Sequence, residues 1–261
     1  MVMVSSSEAS TSNIHGGAGR GLALFATVAA GLLATIVFVG NPDLDLAISR
    51  TFYLGQGQFV GQKMLAVTVL RNVFIAFYFG CIALALVGVF LTRSKTRNWL
   101  SLPFRQWVFM AACLAAGPGL VANLIFKDHW GRVRPGHTIE FGGTQSFTPA
   151  LAIGGECQRH CSFVSGEASS LFIPFFAAAA IFPQYWVALA ATGTVLGLAA
   201  GLLRLSQGAH FLSDIVFAGV FMGLTVTAVW HLMFGGRNAS VFTTFFGNPA
   251  RRQTIKVNSA G

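Results

Sequence analysis

The sequence predicts an all-α integral membrane protein, a bundle of six transmembrane helices, and three observations predict it. Hydrophobic residues occupy 54% of the 261 positions and charged residues only 10%, against about 25% charged in soluble domains. The mean hydropathy is +0.66. Apolar runs near membrane length recur along the chain, separated by polar segments.

The elements follow in chain order. The opening "MVMVSSSEASTSNIHGGAGR" is polar and small, with no basic start leading into an apolar core and cleavage site, so residues 1–20 are expected to form a disordered cytoplasmic N-terminus. The first apolar run is then a retained anchor. Six spans are expected over 21–40, 73–91, 106–126, 168–182, 185–203 and 215–234. The fourth is short and carries Pro174, so its start, "ASSLFIPFF", should pack inside the bundle rather than face lipid. Gly and Ala recur in the fifth, as close helix packing in lipid requires. Between the first two spans, "DLDLAISRTF" interleaves Leu44, Leu46, Ile48 and Phe52 with Asp43, Asp45 and Arg50, which suggests a helix lying in the interface. Residues 21–235 form the six-helix domain, and 236–261 a basic cytoplasmic tail.

Net charge is +9, from 17 Lys and Arg against 8 Asp and Glu. The basic residues are spread over the loops rather than gathered on one face, which excludes nucleic acid as a partner and fits anionic lipid headgroups and phosphate. With both termini inside, nine of the cations lie in the cytoplasm and eight outside. The counts barely discriminate, and the orientation rests on the dense cluster "TRSKTRNW" in one short loop.

Three polar islands then fall together at the outer helix ends: "KDHWGRVRP" from Lys127, "CSFVSGEAS" from Cys161 and "RLSQGAHFLSD" from Arg204. Ionisable residues at membrane depth are costly and need a reason. Singly, the cations read as snorkelling anchors, Ser165 and Glu167 as the cap of a helix, and His210 as a hydrogen-bonded interfacial residue. Jointly they supply what phosphoryl transfer needs. Lys127, Arg134 and Arg204 offer positive charge around non-bridging oxygens, and the helix start at Ser165 and Gly166 offers backbone N–H groups. His210 is a nucleophile if one ring nitrogen is free while Asp214, four residues on and on the same helix face, holds the proton of the other. No His and carboxylate cluster has divalent-metal spacing, so neither metal nor cofactor is expected. Between Cys157 and Cys161 a disulfide is favoured slightly over free thiols. A Cys157, His160, Cys161 metal site lacks a fourth ligand.

Lys127 with six residues before Arg134-Pro135, Ser165-Gly166 opening a helix, and Arg204 with five residues before His210 and three more before Asp214 together resemble the type 2 phosphatidic acid phosphatase superfamily, over about residues 25–235. The resemblance implies a metal-independent lipid phosphatase of a bacterial inner membrane, its active site facing the periplasm. It also implies that Lys127, Arg134, Ser165, Gly166 and Arg204 bind phosphate, and that His210 forms a phosphohistidine assisted by Asp214. The sequence departs from the family pattern at Leu203, where serine is usual, and at Val164 and Glu167, where the family has Pro-Ser-Gly-His and its histidine protonates the leaving alkoxide. A free glutamate with a pKa of about 4.3 is ionised at neutral pH, and a bound phosphate dianion favours its acid form. The expectation is that Glu167 becomes the general acid when substrate binds, with His129 and His137 in reserve. The substrate is a membrane amphiphile entering between helices, and lipid A is favoured. A lipid phosphotransferase, or a non-catalytic lipid-binding or transport protein on the same scaffold, are the alternatives.

Overall fold

A computed structural model describes residues 6–94 and 98–235, with side chains from Gly21 onward. The chain is helical through α1 (Ser6–Gly40), α2 (Asp43–Arg50), α3 (Leu65–Thr92), α4 (Phe104–Leu114), α5 (Gly166–Ile181), α6 (Trp186–Ser206) and α7 (Leu212–Phe234). A small antiparallel hairpin, β1 (Tyr53–Gly55) and β2 (Gln58–Phe59), follows α2. Its turn falls at Gly55-Gln56-Gly57, all three at positive φ, where glycine twice removes the steric cost. α1 begins within the polar stretch for which composition predicts disorder. Extending an existing helix needs no new nucleus, and "SSEAS" contains good helix formers. The expected basic tail over 236–261, and Lys95 and Arg97 of the basic loop, lie outside the described residues.

Among the described residues five helices are long and apolar enough to cross a membrane: Gly21–Gly40, Leu65–Thr92, Phe104–Lys127, Pro183–Ser206 and Leu212–Phe234. The remaining expected span, α5, has 16 residues, short for a crossing. Its position explains its composition. It packs against α3, α4, α6 and α7, and burial of Leu171, Phe172, Ile173, Pro174 and Ala177 covers every face, as an all-round apolar helix demands. α1 and α3 by contrast keep most of their apolar side chains on the outside of the bundle.

α4 continues without a break into a wider, π-type winding over Ala115–Lys127. Its cause is Pro118, which has no N–H for the carbonyl of Leu114 four residues earlier. The same carbonyl also accepts from Tyr78 Oη of α3 at 2.8 Å, which ties the widened winding to the neighbouring helix. This winding ends at Lys127.

α2 forms where the interfacial helix was expected, but the inward residues include a charge: Asp45 is buried with Leu46 and Ser49. Leu46 joins Phe59, Phe141 and Phe211 in a small second core that ties α2, the hairpin and the loop before α5 to the link between α6 and α7. Gly136 N donates to Gly208 O at 2.9 Å across the same junction. These contacts bring three sequence-distant segments to one end of the bundle.

Candidate active site

His210 lies in that link, only 2% exposed, one residue before the N-cap of α7. Its Nδ1 lies 3.5 Å from Asp214 Oδ2, one helical turn on. Asp214 is in turn fixed from three sides. Phe211 N donates to its Oδ2 at 2.8 Å, Ser162 Oγ donates to the same oxygen, and the Arg132 guanidinium grips Oδ1. Nδ1 faces the carboxylate without a formed hydrogen bond, and the charge of Asp214 favours the tautomer that carries its proton on Nδ1. Burial, the largest cause, pushes His210 down to about 4; Asp214 opposes the shift, and the Lys127 and Arg204 charges add to it. The ring is therefore neutral at physiological pH, the state a nucleophile needs.

The other expected residues gather around it. Ser165 caps α5, its Oγ accepting from Ala168 N at 3.4 Å, while its own N–H donates to Asp214 O at 3.1 Å. That bond joins the start of α5 to the start of α7. At Gly166 a Cβ would stand 2.7 Å from Lys127 Nζ, so glycine is what lets the ammonium reach the helix N-terminus. Lys127 is within electrostatic reach of Arg134, Arg204, Glu167 and Asp214. Arg134 Nε donates to His160 O at 3.0 Å. That carbonyl belongs to a small ring closed by the Cys157–Cys161 disulfide, Cα–Cα 5.7 Å, and Cys161 N donates to Lys127 O. The ring thus braces two of the cations.

Glu167 is held as the anion of a two-arginine cluster. Arg71 grips it with both arms, Nε at 3.0 Å from each carboxylate oxygen and Nη2 at 2.8 Å from Oε1. Arg204 Nε lies 3.3 Å from Oε1. His129 turns back onto its own helix end, Nδ1 bonding Leu124 O at 2.9 Å, and His137 is exposed in a short turn.

Sequence reading missed two residues here. Arg71, placed in a loop, stands on the second turn of α3, and an arginine inside "AVTVLRNVFIAF" was the available signal. Arg132, taken for a snorkelling anchor, is fully buried. It pairs with Asp45 at 2.8 Å and with Asp214, donates to Ser213 Oγ at 2.7 Å and to Thr148 O at 2.9 Å, and lies against the Phe211 ring. Asp45 also accepts from Ser213 N at 2.9 Å. Asp45 is therefore a structural counter-ion. Among the described residues no group of three or more His, Cys, Asp or Glu is placed to hold a metal ion.

A buried imidazole within electrostatic reach of Lys127 and Arg204 thus stands at one end of an apolar helical bundle. The sequence profile of the PAP2 superfamily matches residues 106–239, which carry all eight expected site residues. The chain is 37% identical over 205 residues to a lipid A 4'-phosphatase of Francisella tularensis subsp. novicida (strain U112), covering 77% of this chain and 91% of the relative. It is 32% identical over 195 residues to a lipid A 4'-phosphatase of Rhizobium leguminosarum, covering 69% and 83%. A lipid A 1-phosphatase of Rhizobium etli (strain ATCC 51251 / DSM 11541 / JCM 21823 / NBRC 15573 / CFN 42) is 39% identical over 111 residues, covering 41% and 44%. No solved structure matches. The chain belongs to the PAP2 superfamily and is a lipid phosphatase, a multi-pass membrane protein acting on phosphoric monoesters.

Proposed function

We propose that this enzyme removes a phosphate from lipid A through a phosphohistidine on His210, without a metal ion, at the periplasmic face of the inner membrane. The observation that carries the mechanism is the buried His210 with Nδ1 toward Asp214 and within electrostatic reach of Lys127 and Arg204. Five cations (Arg71, Lys127, Arg132, Arg134 and Arg204) face three carboxylates (Asp45, Glu167 and Asp214), leaving two positive charges. A phosphate monoester carries nearly two negative charges at neutral pH, so its arrival neutralises the site while Glu167 is ionised, and protonation of Glu167 on binding leaves one positive charge around the transferring phosphoryl group. The relatives named as 4'-phosphatases align over far more of the chain than those named as 1-phosphatases, which supports the 4' phosphate as the target.

In the first step Nε2 of His210 bonds to phosphorus as the bond to the sugar oxygen breaks, and Glu167, protonated once the phosphate dianion is bound, gives its proton to that oxygen. In the second, water attacks phosphorus, Glu167 takes its proton, and the phosphorus–nitrogen bond breaks to release inorganic phosphate. Asp214 stabilises the ring's charge throughout. Lys127, Arg134 and Arg204 and the N–H groups at Ser165 and Gly166 hold the non-bridging oxygens. Residues 21–235 form the working unit, with α5 as its sixth, largely enclosed crossing.

Two measurements test this. Purified protein given lipid A and a panel of phospholipids in EDTA should release free phosphate, most from lipid A; loss of activity on chelation, or transfer to an acceptor lipid without free phosphate, contradicts the proposal. Imidazole resonances of His210 should report a neutral ring at pH 7 that protonates near pH 4; titration near the ordinary value of 6.5 contradicts it. The sign of the linked stability follows. The unfolded ring binds its proton more readily, so this contribution is complete above about pH 6.5 and lost as pH falls towards 4.

A further inference from the structure

Arg71 stands at the seventh position of α3, roughly 9 Å along the axis from its start at 1.5 Å per residue. A charge inside an apolar helix has to be compensated, and here the partner is Glu167, 96 residues away. The two arginines around Glu167 are not equivalent. Arg71 makes three hydrogen bonds to the carboxylate, in a two-armed fork. Arg204 approaches one oxygen at 3.3 Å through an Nε that forms no hydrogen bond, and its Nη1 donates instead to Gln207 Oε1. The carboxylate is thus held chiefly from α3 while it still touches Arg204 with one oxygen.

We infer that Arg71 is a positioning residue for the phosphatase reaction: it restrains Glu167 beside the phosphate site, so that this carboxylate does not compete with the substrate for Arg204 and Lys127. The inference rests on the proposed phosphate site and adds a residue to it. A carboxylate one residue from Gly166, where the Lys127 ammonium docks, is tethered at very short range to those cations. Released from Arg71, its best remaining partners are Arg204 and Lys127, and pairing with them blocks an incoming anion. The fork geometry matters as well as the charge, since lysine cannot make it.

The test is orthovanadate binding by calorimetry on the full chain in detergent. Arg71→Gln should weaken vanadate about tenfold, the size of a lost charge-assisted contact, and Arg71→Lys should weaken it by less. Glu167→Gln should bind as tightly as wild type or tighter. The decisive variant is the double one: Arg71→Gln with Glu167→Gln should match Glu167→Gln within about threefold, because nothing remains to restrain. A tenfold loss that persists in the Glu167→Gln background overturns the inference and makes Arg71 a direct ligand or a purely structural residue. Should wild type fail to bind vanadate, or Arg134→Gln bind it undiminished, the proposed phosphate site itself is wrong. Turnover gives a second readout. Arg71→Gln should raise KM, and adding Glu167→Gln should reverse that rise while leaving kcat low.

Discussion

Replacement of His210 by alanine is expected to lower turnover by on the order of 10⁴-fold or more, because in the proposed mechanism it removes the atom that carries phosphate between the two steps. The surrounding machinery should survive the change. Asp214 keeps the Phe211 N–H, Ser162 and Arg132 as partners, and the cations and the start of α5 do not depend on the ring for their contacts. The variant should therefore fold, with its thermal transition near that of wild type, and still bind orthovanadate. Asp214→Asn should also be severely impaired, but with a different signature. It leaves Arg132 buried beside one carboxylate instead of two, so lost stability should accompany lost activity. A His210→Ala variant that turns over at more than a few percent of the wild-type rate contradicts the nucleophile assignment.

The largest effect on stability is expected from Arg132→Ala, at about 3–5 kcal/mol. Arg132 is completely enclosed and neutralises two enclosed carboxylates, Asp45 from α2 and Asp214 from α7. Removing it strands both charges and breaks the connection between α2 and the link that carries His210. Since Asp214 would also lose its orientation, activity should fall together with stability. Denaturant titration in detergent measures the cost. Arg132→Lys should be only partly tolerated, because one ammonium cannot span both carboxylates and the Thr148 carbonyl. A loss below about 1 kcal/mol in Arg132→Ala would mean that the triad is solvated and not the strut described above.

Much of the fold was legible because membrane-length apolar runs leave little choice: each of the six expected runs coincides with a helix to within a few residues at its later end, and among the described residues five of those helices are long enough to cross a membrane, α5 being the short one. The exception is instructive. The apolar run predicts a span from residue 73, whereas α3 begins at Leu65 and includes Arg71. What lets the helix continue through Arg71 is a carboxylate on another helix, and no local pattern reveals that pairing. Arg132 was misplaced for the same reason. Next to Arg134 it looks like one more anchor at a helix end, and its burial depends on Asp45 and Asp214 arriving from separate elements. The core of the site was more legible. The one-turn spacing of His210 and Asp214 and the glycine at 166 are local features that fix geometry directly. The role of Glu167 was less so, since its chemistry depends on which arginine holds it.

The central claim is that phosphate passes through the Nε2 atom of His210, and trapping that intermediate tests it most directly. Protein mixed with ³²P-labelled lipid A, quenched in alkali within milliseconds and digested for mass spectrometry should carry an alkali-stable, acid-labile phosphate on the peptide containing His210. Label on any other residue, or single-turnover release of phosphate with no labelled protein at any time, would contradict the account.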